Sequence, residues 1–213
     1  MRWLDETAIM DATSGKRVAV VGNAGRMVGD GLEYGEEIDG FDTVIRFNRA
    51  LPIPGNLKRM LGGRVTIWAG CEFSYGGWCL SGKPEIWWRW ERIPHRVRLR
   101  RDCKARGIPA FAASWKSLDK LRVFDYLGIA ELSKMPKYPP RGGRPSSGAR
   151  VVHLLTEYGD PKELILYGFD FFRSHSWPTG GRAGNAHSGG LEYEYMVRNL
   201  GFREVKPLVY EWR

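Results

Sequence analysis

The chain has 213 residues, enough for one domain with a substantial core, so we predict a single domain spanning residues 1–213 with 1–14 as an N-terminal extension. A net charge of +9 favours an anionic partner, and no nucleic-acid-binding motif accompanies it, so no nucleic-acid partner is predicted. The three cysteines, Cys71, Cys79 and Cys103, lack metal-ligand spacing and argue against a disulfide framework or a zinc site.

No stretch of the sequence is apolar and long enough to predict a membrane span or a signal peptide. Reduced, structural cysteines are the default interpretation of the three thiols. The sequence therefore predicts a soluble, cytoplasmic protein.

Residues 17–50 organise the chain. An apolar, β-branched run at 18–21 predicts a strand buried on both faces, and a glycine-rich turn, a short helix at 34–38 and a second strand at 43–47 follow. This order is typical of an α/β protein with a doubly wound, Rossmann-like parallel sheet and helices on both faces. In such sheets, ligands bind beyond the carboxyl ends of the strands.

The glycine turn alone does not identify a ligand. Gly22 and Gly25 do not form the dinucleotide fingerprint, and no phosphate-loop lysine follows. Where a nicotinamide-binding protein has an acidic residue, this chain has Asn48, which disfavours an oxidoreductase. The amides of Asn23 and Asn48 fit a nucleotide-binding role and fit turn capping equally well.

Further strands are predicted at 64–69, 85–90, 107–112 and 163–167, and helices at 92–106, 117–127 and 191–200, the last with Leu191, Tyr195 and Leu200 buried. The segment 134–145 contains prolines and glycines without apolar periodicity, which predicts a mobile loop. Tryptophans and arginines between 87 and 106 leave two alternatives open, a solvated helix or peripheral contact with an anionic inner-membrane surface.

A serine-capped helix is predicted after the loop. Ser146 or Ser147 precedes Gly148 and then a helical pattern of apolar residues, so free backbone N–H groups at the helix start could bind an anion. Later in the chain, His187 lies on a Gly/Ser stretch just before the last predicted helix, and Glu192 falls in that helix's first turn. An exposed imidazole at such a place can accept a proton from an attacking hydroxyl.

Three of these segments carry a family resemblance. VAVVGNAG with YGEEID and FDTVIRFNRA resembles the long sialylmotif of the sialyltransferases, glycosyltransferase family 29. PSSGARVVHLL with LILYGFDFF resembles the short sialylmotif, and the run from His187 to Glu192 resembles the very short motif H-x-x-x-x-E. Animal members of the family are anchored by a membrane helix, and none is predicted here, so the chain resembles a short, bacterial-type or trimmed member. The cysteines that join the long and short motifs in the family have no counterpart here, which fits a reducing cytoplasm.

The resemblance implies a variant of the A-type glycosyltransferase fold and an inverting, metal-independent enzyme without a cofactor. Such an enzyme moves sialic acid from a CMP-linked donor to a hydroxyl of an acceptor glycan or glycolipid. Two alternatives stay open: a Kdo transferase that uses CMP-Kdo, and a nucleotide- or carbohydrate-binding module that has lost turnover.

The same resemblance assigns roles to particular residues. His187 is the implied catalytic base, with Glu192 orienting its ring. His175 occupies the place of the family's third motif, although the residues after it do not match that motif. The implied donor-binding residues are Gly22, Asn23, Asn48, Ser146, Ser147, Gly148, Gly168, Phe169 and His175, with Tyr167 as a further pocket candidate.

Overall fold

The computed structural model describes residues 2–71, 84–91, 105, 107, 110–114, 145–181 and 187–212. Within them, nine strands form one sheet in the order β1-β6-β5-β4-β3-β2-β7-β9-β8. Neighbours from β1 to β7 are parallel, β9 is antiparallel to β7, and β8 is antiparallel to β9. The strands are β1 (Arg2–Trp3), β2 (Arg17–Val21), β3 (Thr43–Phe47), β4 (Ile67–Cys71), β5 (Ile86–Glu91), β6 (Ala110–Ser114), β7 (Glu163–Tyr167), β8 (Arg203–Lys206) and β9 (Val209–Glu211).

The helices are short apart from one. The α-helices are α1 (Glu6–Thr13), α2 (Arg26–Gly29), α3 (Gly35–Asp39), α4 (Lys58–Leu61), α5 (Ser147–Tyr158) and α6 (Gly189–Tyr193). A 3-10 turn at Gly55–Leu57 precedes α4, and a π-helix at Glu194–Asn199 continues α6. No helix in the described part of the chain is long and apolar enough to cross a membrane.

The sheet separates two hydrophobic clusters. In β2, Val18 and Val20 face the cluster that includes residues of α1 and α5, whereas Ala19 and Val21 face the one that includes residues of α2, α3 and α4. Because successive side chains of a strand point to opposite faces, both faces of the central strands are buried. The predicted α/β fold with helices on both faces of a doubly wound sheet is confirmed.

Residues 2–14, which lie in the predicted extension, contribute a strand and a helix to this fold. The Asp5 carboxylate accepts a hydrogen bond from Ala8 N at 2.9 Å and caps α1. Leu4 and Ile9 are fully buried in the first cluster, and β1 pairs with β6. The buried residues of α1 recur at helical spacing, a pattern hidden by the charged residues between them.

Two other predictions differ from the structure. The third strand was predicted from residue 64, but Arg64 donates its side chain to the carbonyls of Phe41 and Asp42, and the strand begins at Ile67. Leu191, predicted to be buried, is 48% exposed. The predicted segments 92–106, 117–127 and 134–144, and Cys79 and Cys103, lie outside the regular elements that the structure describes.

The order of the strands places a crevice beside β2. After β2 the chain moves outward through β3 to β6, and it then returns to add β7 on the other side. The connections that leave β2 and β7 therefore diverge at the carboxyl edge, which is the topological switch point where α/β sheets bind ligands.

Candidate active site

The loop after β2 packs directly on the turn after β7. Gly22 N donates to Tyr167 O at 2.7 Å, and Ala24 N donates to Gly168 O at 3.3 Å. A Cβ atom on Gly22 would lie 2.4 Å from Gly168 O, so a side chain there would push the two backbones apart. Gly168 itself has a φ of 67°, in the left-handed region. Two glycines predicted to bind the donor thus hold the crevice in shape.

The Asn23 side chain extends from the loop after β2 to the end of β3. Its Nδ2 donates to Phe47 O at 3.4 Å, at the end of β3. Its Oδ1 is buried and meets no hydrogen-bond partner among the residues that the structure describes. A buried amide oxygen of this kind can accept a hydrogen bond from a ligand N–H or O–H group.

Asn48 lies at the end of β3 with a φ of 47°, a left-handed conformation that asparagine tolerates well. Its backbone is fixed by β4, because Asn48 N donates to Ala69 O at 3.1 Å and Asn48 O accepts from Trp68 Nε1 at 2.7 Å. The neighbouring Arg46 is buried and donates to the carbonyls of Leu61 and Arg64. Its charge therefore supports the α4–β4 connection rather than the crevice.

Ser146 caps α5, the longest described helix. Its Oγ accepts from Ala149 N at 3.1 Å, and the half-buried Ser147 begins the helix. A Cβ on Gly148 would lie 3.0 Å from the ring of Phe169, so the helix start packs tightly on the turn after β7. Phe169 in turn contacts Phe47 edge-on at 6.4 Å between ring centroids. Tyr167 is fully buried and donates to Glu37, which makes it a core residue rather than a pocket residue.

Glu192 links the last motif to this helix start. It is 3% exposed, and its two carboxylate oxygens accept from Ser146 N and Ser146 Oγ, each at 2.8 Å. Burial raises the pKa of Glu192 to about 7, although the two hydrogen bonds and the positive charge of Arg150 oppose the shift. Both oxygens accept from Ser146, and the ring-orienting role of Glu192 toward His187 stays a prediction.

A second polar contact joins α5 to the C-terminal helices, further along both than the contact of Glu192 with Ser146. His153 Nδ1 lies 2.5 Å from Tyr195 Oη, and both residues are buried. Burial raises the pKa of Tyr195, so its hydroxyl stays protonated at neutral pH. Residues 146, 150 and 153 follow helical spacing along one side of α5, and this polar row was not recognised in the sequence because an apolar pattern surrounds it.

His187 lies at the start of α6, half-buried, with its imidazole stacked on the Phe172 ring. The two centroids are 5.6 Å apart and the planes differ by 18°. The next residue, Ser188, caps α6. Phe172 was not predictable from the sequence, since nothing in a Phe-Phe pair shows which ring will face a histidine.

His175 is exposed, and its place is set by backbone contacts. Its carbonyl accepts from Gly25 N at 2.7 Å, and its Nδ1 lies 2.9 Å from Gly180 O. Ser176 forms an isolated bridge with Ala24 in the same region. His175 therefore supports the loop after β2, and a role in contacting the donor stays a prediction. Among the described residues, no group of three His, Cys, Asp or Glu side chains could hold a metal ion.

The loops described above lie at the carboxyl edge of the doubly wound sheet, where such sheets bind their ligands. Residues 4–68 match the family model described as glycosyltransferase family 29 (sialyltransferase), which confirms the resemblance predicted from the motifs.

Two solved structures share the fold. The crystal structure of a mammalian sialyltransferase is 20% identical, with a TM-score of 0.59, covering 92% of this chain and 69% of that one. A mammalian sialyltransferase in complex with Gal-beta-1-3GalNAc-ortho-nitrophenol is also 20% identical, with a TM-score of 0.60, covering 92% and 70%. No curated protein matches the sequence.

Proposed function

We propose that the chain is an inverting glycosyltransferase that moves a keto-sugar acid, sialic acid, from a CMP-linked donor to a hydroxyl of an acceptor glycan. The observation that carries the proposal is the meeting of the three motif segments at one edge of the sheet. The Gly22 loop packs on Gly168, Gly148 packs on Phe169, and Glu192 is bonded to Ser146.

The donor would lie across the switch point. Asn23 and Asn48 come from the ends of neighbouring strands and offer amide groups to the cytosine and ribose. The start of α5 offers backbone N–H groups and the Ser147 hydroxyl to the phosphate, at the positive end of a twelve-residue helix. Because both hydrogen-bond donors of Ser146 are directed to Glu192, Ser147 and Gly148 are the better candidates for this contact.

His187 would accept the proton of the acceptor hydroxyl as its oxygen attacks the anomeric carbon. The bond to the CMP phosphate breaks on the opposite side, which inverts the configuration. The negative charge on the departing CMP would be stabilised by the helix start, without a metal ion. CMP-Kdo presents the same phosphodiester and an acid of similar chemistry, so the same cradle serves the alternative donor.

The test is a donor panel followed by two variants. Calorimetry with CMP-sialic acid, CMP-Kdo and a UDP-sugar, and CMP release with Gal-β-1-3GalNAc as the first acceptor, measure binding and turnover separately. His187→Ala should lower turnover by roughly 100-fold or more and leave donor affinity within a few fold, since a general base acts only while the bond forms. Asn48→Ala should weaken donor binding first.

Different outcomes remove different parts of the proposal. Binding of a CMP-sugar without CMP release would favour the module that has lost turnover. Activity that a chelator abolishes and a divalent metal restores would contradict metal independence. If the His187→Ala enzyme were fully active, another residue would have to be the general base, and His175 would be the first to test.

A further inference from the structure

The turn after β7 has an unusual backbone. Phe171 and Phe172 are consecutive, non-glycine residues with φ values of 53° and 66°. A left-handed residue of this kind is strained and persists only where its surroundings hold it, commonly at functional sites. The buried Asp170 holds this turn, because its carboxylate accepts from Phe172 N at 3.1 Å and Ser174 N at 2.7 Å.

The strained turn directs its two rings to different places. The Phe171 ring is buried against Tyr193 and Tyr210, at centroid distances of 5.1 Å and 5.6 Å with edge-on geometry. The Phe172 ring is half-buried and stacks on His187. Two adjacent residues in an extended strand would also diverge, but here the left-handed turn sets the Phe172 ring parallel to the imidazole.

The segment that carries His187 is fitted to the same turn. A Cβ on Gly189 would lie 1.9 Å from Phe171 O, so only glycine allows the start of α6 to approach this closely. His187 is two residues before that contact. The backbone of the histidine and the ring that faces it are therefore held by one structural unit.

We propose that Phe172 is a positioning residue that holds the His187 imidazole in the orientation from which it accepts the acceptor proton. The inference rests on the proposed function, which makes His187 the base. A stacked ring restricts rotation of the imidazole about its side-chain bonds, and general base catalysis depends on that alignment. Phe172 itself does not touch the reacting atoms in this role.

The first measurement needs no substrate. In protein labelled at its four histidines, three-bond couplings report the χ1 rotamers, and a His187→Gln variant assigns the His187 signals. We expect one His187 rotamer in the wild type and in Phe172→Tyr, which keeps the ring. Phe172→Leu keeps apolar volume without the ring, and we expect its His187 signal to average between rotamers.

The second measurement is the split between turnover and binding. Phe172→Leu should lower kcat by about 10- to 100-fold, the scale of a small misplacement of a catalytic group, with the donor Kd within about 2-fold. Phe172→Tyr should recover most of the turnover. Arg173→Ala, in the same turn and exposed, is the matched control and should match the wild type in both measurements.

Several results would overturn the proposal. Averaged rotamers with unchanged kcat would show that catalysis does not use the alignment, and a fixed rotamer with reduced kcat would show that Phe172 acts on the substrate instead. If Phe172→Leu fails to fold, Phe172→Gly preserves the positive φ without a ring and takes both measurements. If no CMP-sugar reacts, the proposed function fails, and the rotamer data still decide whether the ring holds the imidazole.

Discussion

Glu192 shows how one buried side chain joins two distant parts of the chain. Its carboxylate receives both hydrogen-bond donors of Ser146, a residue 46 positions earlier in the sequence. Burial also favours the neutral form of this carboxyl group and so raises its pKa. The contact between α5 and α6 therefore depends on pH.

We predict that titration of Glu192 lowers the free energy of unfolding as the pH rises from 4.5 to 7. The native pKa is about 7 and the ordinary value is 4.5, so in this interval the native state binds more protons than the unfolded chain. The stabilisation is complete below pH 4.5 and is lost as the pH rises to 7. The glutamine in Glu192→Gln does not titrate. As the pH rises through this interval, the free energy of unfolding measured with denaturant should therefore fall less for the variant than for the wild type. An identical pH profile for both proteins would contradict the prediction.

At the scale of elements, the crevice depends on close backbone contact between the loop after β2 and the turn after β7. We predict that Gly22→Ala lowers the free energy of unfolding by about 1–3 kcal/mol and weakens CMP-donor binding, because its Cβ would meet the Gly168 carbonyl. Gly29→Ala is the matched control, since its Cβ would meet no atom within 4 Å. That variant should be as stable as the wild type or up to about 1 kcal/mol more stable. Equal effects of the two variants in thermal melts and calorimetry would rule out the steric explanation.

Elements that bury both faces were predictable from sequence, and elements that depend on tertiary contacts were not. Strands β3 and β7 match their predicted bounds, because short apolar runs flanked by polar residues admit few other structures. The last helix was predicted with an ordinary helical period, but its second half is a π-helix that buries Tyr195 and Met196. Glu192 lies on the same buried side, three and four residues before them, and Leu191 is left exposed.

The candidate site was predictable in part: the motif segments were recognised, and the turn that faces His187 was not. The motif residues at the crevice were found because the segments that carry them resemble the motifs of a known family. The left-handed turn at Phe171 and Phe172 was not, since both residues have high strand propensity and the conformation is imposed by Asp170 and by the approach of Gly189.

At the scale of the whole molecule, α1 completes the cover on one face of the sheet. We predict that Ile9→Ala lowers the free energy of unfolding by about 2–5 kcal/mol, because Ile9 is fully buried in the first cluster. Met10→Ala, one residue later on the same helix and 39% exposed, should change it by less than about 0.5 kcal/mol. Urea titrations of both variants make the comparison. A small effect of Ile9→Ala would mean that residues 1–14 are an extension after all.

The adjacency of β2 and β7 also has a consequence for the folding of the chain. Arg17 pairs with Glu163 in register, so the central pair of strands closes a loop of well over one hundred residues. Contacts of such long range form slowly, because loop-closure entropy is lost before the contacts compensate for it. During synthesis, the Gly22 loop emerges long before the Gly168 turn on which it packs. We therefore expect the crevice to be among the last parts of the molecule to acquire its native shape, after the β2–β3 pair has formed.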